Sequence, residues 1–66
     1  FYVAVDGSTL KVDGVNAGDV VNVYSMSGRL MTSVKADDSV VYLPIADWSK
    51  GVYIVSANGN SVKFVK

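Results

Sequence analysis

Catalysis needs an activated nucleophile or a positioned base, and this 66-residue sequence has neither His nor Cys to provide one. What remains is Ser, Lys, Tyr and Asp. The serines fall mostly in turns or at the ends of apolar runs, where Ser is expected anyway. Ser49 and Lys50 form the nearest thing to a dyad, but adjacent side chains on a strand point to opposite faces. Asp37-Asp38 is the one paired carboxylate. With Asp6, Asp13, Asp19 or Asp47 it could hold Ca²⁺ through oxygen ligands, yet the spacing matches no calcium loop and Asp is a common turn former. No Gly-x-Gly spacing exists to cradle a phosphate. Trp48 is the single tryptophan; it is expected to plug one open end of the fold, its exposed alternative being a carbohydrate platform. Tyr24 and Tyr53 read as half-buried packing with the hydroxyl toward solvent, and Met26 and Met31 as fillers. The expectation is a protein that is not an enzyme, with no catalytic residue, no cofactor and no metal.

Composition narrows the setting. A chain this short buries only about 60% of its unfolded surface, and it lacks the disulfides or Cys/His zinc site that often compensate. It must rely on packing. Half its residues are apolar, and 14 of the 66 are Val, against three Leu and two Ile. Val is stiff at χ1 and favours pleated surfaces over helices. Six basic and six acidic residues give a net charge of zero. No run of Lys or Arg could track a phosphate backbone, so nucleic acid is not an expected partner. No apolar stretch approaches the ~20 residues of a membrane-spanning helix. The sequence opens at Phe1 without Met, in what looks like mid-strand, and we expect residues 1–66 to be a single domain, either the C-terminal domain of something longer or a processed product.

Turn signals punctuate the chain evenly: Asp6-Gly7-Ser8, Asp13-Gly14, Asn16-Ala17-Gly18, Ser27-Gly28, Ala36-Asp37-Asp38, Lys50-Gly51 and Asn58-Gly59-Asn60. Between them lie short apolar-rich runs: FYVAV, TLKVD, DVVNVYS, RLMTSVK, SVVYL, GVYIVSA and SVKFVK. In TLKVD, Leu10 and Val12 alternate with polar neighbours. In DVVNVYS, Val21 and Val23 share one face and Asn22 and Tyr24 the other. RLMTSVK groups Leu30, Thr32 and Val34. SVVYL and GVYIVSA are apolar on both faces, as covered strands are, and GVYIVSA is placed centrally; Pro44 ends the former. IADW at 45–48 reads as one loose turn or an edge crossing. SVKFVK turns Val62 and Phe64 inward and Ser61, Lys63 and Val65 outward, the lysine guarding an edge. No window carries a 3.6-residue period. The spacing predicts an all-β fold: a small immunoglobulin-like antiparallel β-sandwich of about seven strands, with no regular helix.

Two stretches, NVYSMSGRLM at 22–31 and KGVYIVSANGNSVKFVK at 50–66, together resemble the C-terminal sorting domain of the type IX secretion system of Bacteroidota. Val23, Tyr24, Gly28 and Arg29 match its Val-Tyr…Gly-Arg element. Lys50, Gly51, Tyr53 and Val55 match its Gly-x-Tyr-x-Val strand, and Asn58-Gly59, Lys63, Val65 and Lys66 its last turn and strand. The similarity covers about residues 9–66, while FYVAV lacks the Tyr-Pro-Asn-Pro-like opening of many members.

That resemblance implies a secretion signal that carries an upstream cargo domain of the same chain through the periplasm to the cell surface or beyond. Its partners would be the type IX translocon and a sortase-like peptidase that often removes it. The residues it nominates for translocon recognition are Gly28, Arg29, Gly51, Tyr53, Val55, Lys63, Val65 and Lys66. We expect the final hairpin to offer an open edge for strand addition. Two other readings of the same sequence remain: an immunoglobulin-like accessory module supporting a neighbouring catalytic or carbohydrate-binding domain, and an adhesion domain using Trp48 and the tyrosines.

Overall fold

The computed structural model describes residues 1–66 and contains seven strands in two antiparallel sheets, with no helix. The strands are β1 (Tyr2–Asp6), β2 (Thr9–Asp13), β3 (Val20–Ser25), β4 (Leu30–Lys35), β5 (Val40–Pro44), β6 (Val52–Ala57) and β7 (Asn60–Val65). One sheet has the order β1-β2-β5, the other β4-β3-β6-β7. The chain therefore crosses between sheets after β2, after β4 and after β5. This is the immunoglobulin-like division of strands, with β4 beside β3 as in the variable-type arrangement.

Local chemistry dictates the hairpins. Asp6 pairs with Thr9 and Ala57 with Asn60, so two residues close each tight turn. Asn58 and Gly59 have φ of 51° and 78°, the left-handed pair that an Asn-Gly hairpin turn needs to match strand twist. Alternation then divides each strand. From the smaller sheet Leu10, Val12 and Leu43 point inward; from the larger, Val21, Val23, Tyr53, Val55, Ala57 and Phe64 meet them. Val15, Ala36 and Ile45, from the crossings, complete the core. No polar or charged residue is buried in it.

Three expectations need correction. SVVYL is not a covered strand: β5 is an edge, and Tyr42 is 64% exposed. Pro44 does end the strand as expected, paired with Thr9 as the last residue of β5. Leu30 does not share a face with Thr32 and Val34. Tyr24 pairs with Leu30 but Val23 with Thr32, so a bulge at Met31 absorbs one residue and turns Leu30 outward. Met26 fills nothing, being exposed at the turn. GVYIVSA does lie inside its sheet, as β6.

On the outer face of the smaller sheet, cross-strand partners Tyr2 and Asp13 share a hydrogen bond, the phenol donating to Asp13 Oδ2 at 2.8 Å. Lys11 Nζ lies 3.7 Å from the same oxygen. The hydrogen bond to Asp13, then the charge of that carboxylate, raises the Tyr2 pKa above the ordinary 10.0, aided by slight desolvation and opposed by Lys11.

Truncating the core should show how little stability is spare. Leu10→Ala, at a fully buried site, should cost about 3 kcal/mol in urea unfolding, most of the ~3–5 kcal/mol a domain this size holds. Val5→Ala, at a position 40% exposed, should stay within about 1 kcal/mol. The Tyr2 bond gives a pH signature. Its raised folded-state pKa means that its contribution is whole below pH 10.0 and is lost as pH rises through the folded value. Asp13→Asn should move one phenol's ultraviolet titration to lower pH; an unchanged curve would show that the bond does not form in solution.

Candidate functional site

The surface has no pocket, and no three acidic residues converge as metal ligands would. Asp38 instead accepts from the Ser39 amide at 2.7 Å, and Asp19 from the Asn16 amide at 2.9 Å: turn chemistry. The motif residues lie in turns, at edges and on faces of the two sheets.

The first motif is a turn. Gly28 donates to Ser25 O (2.9 Å), and Ser25 donates back to Arg29 O (2.8 Å). Ser25 Oγ accepts from the Arg29 amide at 3.2 Å and bonds Ser27 Oγ at 2.8 Å. Gly28 has φ of 86° with open space where a Cβ would stand. Glycine is demanded there by backbone conformation and not by crowding. The turn projects the Arg29 side chain outward, exposed and outside any ion pair.

The second motif is a corner. Tyr53, the second residue of β6, is only 5% exposed, and its hydroxyl donates to Ser49 O at 2.6 Å. A tyrosine near the start of this strand, bonding the backbone a few residues upstream, is the tyrosine corner of immunoglobulin-like sandwiches. The solvent-facing hydroxyl expected from sequence is thus corrected: the crossing from β5 brings a carbonyl to it, which spares a buried phenol its desolvation cost. The Tyr53 ring stacks on Phe64 with centroids 5.5 Å apart and meets Trp48 at 5.2 Å. Trp48 is half-buried and packs against the core at this end of the sandwich. Val55, two residues on, is fully buried.

The third motif closes the corner. Gly51 and Lys66 exchange backbone hydrogen bonds of 2.9 and 3.3 Å, extending the β6–β7 ladder. The Lys66 side chain leaves on the Phe64 side, and its ammonium donates to Ala46 O at 3.0 Å and to Trp48 O. The last residue thereby ties the loop of residues 45–51 to β7. Nothing in the sequence signals this contact, because its partners are backbone carbonyls 18 and 20 residues away.

The eight nominated residues therefore separate. Tyr53 and Val55 are core, Gly28 and Gly51 shape backbone, and Lys66 is a tie. Arg29, Lys63 and Val65 are exposed. Most of the set gathers at one end, since Ser25 pairs with Tyr53, Tyr53 with Phe64 and Val52 with Val65. Asn58-Gly59 caps the opposite end. β7 is an edge strand; β1 lies alongside it, with no backbone hydrogen bond between them.

The family model for the secretion system C-terminal sorting domain matches residues 4–66. The match begins five residues ahead of the part covered by the motif resemblance, and takes in most of β1. No curated protein and no solved structure matches the chain.

The corner should be measurable. Tyr53→Phe keeps the ring and loses one bond, for a cost of about 1 kcal/mol, and Lys66→Met should cost a similar amount. Both should shift the emission of the single tryptophan to the red in native buffer. Because both hold one loop, the double variant should cost less than the sum; strictly additive costs with unshifted emission would refute the shared corner.

Proposed function

Because this chain belongs to the family of secretion system C-terminal sorting domains, and is thus a C-terminal sorting signal for type IX secretion, we propose that it is a folded address tag for a cargo joined upstream of it. The family is non-catalytic and serves export to the cell surface or outside. The tag passes through the periplasm with its cargo, is read by the type IX translocon, and is a substrate for a sortase-like peptidase rather than an enzyme in its own right. Residues 1–66 act as one domain of a longer exported protein.

The observation that carries this reading is the family match across all seven strands. Two features support the finer parts. Arg29, Lys63 and Val65, all nominated for recognition, are presented to solvent by residues that are themselves structural. The outer edge of β7 has β1 alongside it but no ladder bonds to it, so strand addition has groups to bond once β1 gives way. The accessory-module and adhesion readings gain no specific observation of their own.

Deleting residues 62–66 would be a poor test, because it would also remove Phe64 from the core and Lys66 from its carbonyls. A gain of function avoids that problem. Residues 1–66 fused behind an exported reporter should bring it to the surface of a Bacteroidota strain with a working type IX system. A matched strain without the translocon should retain it in the periplasm. Reporter shortened by about one domain would add cleavage to the reading, and full-length surface reporter would remove the peptidase from it. Retention in both strains would overturn the proposal.

A further inference from the structure

The outward side chains of the larger sheet sort by row. Register places Ser33, Asn22, Ser56 and Ser61 across one row and Leu30, Tyr24, Ile54 and Lys63 across the next. Val52 and Val65 pair one row further toward the same end. The row of serines and Asn22 is therefore polar, exposed Val20 pairs with Lys35 beyond it, and the rows nearest Arg29 are apolar except for Lys63 at the β7 edge. Leu30 is 50% exposed and Val65 69%, with Tyr24, Val52 and Ile54 half-buried between them.

Charge on this face is of one sign. Lys35 and Lys63 stand outward on its strands, and Arg29 precedes Leu30. None of the six acidic residues lies in any of its four strands. Asp19, Asp37 and Asp38 flank the far end, where Gly18 and Asp19 extend the ladder by bonds with Ala36. Asp47 sits in the loop that Lys66 ties on the core side, and Asp6 and Asp13 belong to the other sheet. A chain of zero net charge thus carries a basic-rimmed apolar patch on one face. The other outer face also exposes large side chains, Tyr2 and Tyr42, but there Asp6, Lys11 and Asp13 mix the signs.

We propose that the apolar end of this face, centred on Tyr24, Leu30 and Ile54, docks a protein of the sorting machinery whose matching surface has an apolar centre and an acidic rim. The inference rests on the sorting function above and adds to it the face and the partner's chemistry. Complementary charge would steer the encounter and fix its register, and apolar contact would hold it. A second copy of the same face is a poor occupant, since it would set Arg29 and Lys63 against their own kind. A bilayer is a poor one too. Phe1, Trp48 and Phe64 all pack inward, so half-buried Tyr24 is the one aromatic side chain this face has for insertion.

The test compares three reporter fusions in the competent strain: wild type, Leu30→Glu with Lys63→Glu on the patch, and Lys11→Glu with Tyr42→Glu on the opposite face. Purified fusions should melt alike, showing that all are folded; if the patch pair melts early, Lys63→Glu with Val65→Ser takes its place. Surface reporter should fall about tenfold or more for the patch variant, the scale of losing one hot spot, and by less than about twofold for the control. Lys63→Arg should export normally. Undiminished export of a folded patch variant, or equal loss from both faces, overturns the docking face while leaving the sorting function intact. Failure of the wild-type fusion overturns both. Co-sedimentation of wild type, but not the patch variant, with phosphatidylglycerol vesicles would transfer the face to lipid and overturn the protein partner.

Discussion

The two sheets face each other across side chains alone, and everything else follows from how few of them there are. Twelve residues are buried, all apolar, and no disulfide or Cys/His-bound metal reinforces them, because the chain has neither Cys nor His. Each inward position on β2, β3 and β6 is therefore already committed to holding the sheets together. Val is the main means. Its branched side chain fills a pleat with little rotamer entropy to lose, so a small domain obtains more net stabilisation from each buried position. What is left for recognition is whatever points outward or closes the ends.

One end shows how the committed and free residues are coupled. Tyr53, Phe64 and Trp48 contact one another in series, and two donors reach the loop beneath them: the Tyr53 hydroxyl at Ser49 O and the Lys66 ammonium at Ala46 O and Trp48 O. The carbonyls of a crossing loop have no ladder to satisfy them, so side chains from β6 and the end of β7 do so. This couples the last residue to the strand crossing before β6. Two motifs that look independent in sequence, Lys50 to Val55 and Lys63 to Lys66, are two sides of one corner.

Strand positions, turn glycines and the Asn-Gly hairpin were legible because each depends on local alternation or on φ, whereas the interior place of β6 came from apolar residues on both faces, a cue that held there and failed for β5. The in–out alternation of β7 read correctly for the same reason as the strand positions. Leu30 misled because a bulge breaks the period of two within a single strand, and no residue type marks it. SVVYL misled because apolar residues on both faces do not distinguish a covered strand from an edge whose outer side chains are simply tyrosine and valine. The Tyr53 hydroxyl and the Lys66 ammonium were illegible in a stricter sense. Their partners are backbone carbonyls, which every sequence has everywhere. The candidate recognition residues were nominated as a set, but sequence could not divide those that face solvent from those that face the core.

That division governs how loss of export must be interpreted. Tyr53 and Val55 belong to a core with little stability to spare, so their substitution depletes the folded tag itself, whatever reads it. Gly28 and Gly51 act through backbone shape, and a change there displaces Arg29 or unpairs the end of β7. Of the nominated residues, Arg29, Lys63 and Val65 lie where a receptor could distinguish one side chain from another without the fold changing first, and the outward row of Leu30, Tyr24 and Ile54 adjoins them. A sorting signal built on so small a core shares most of its motif between folding and recognition. The outward residues of the larger sheet are where the two separate, and that is why a charge placed there tests recognition while a cavity placed beneath it tests stability.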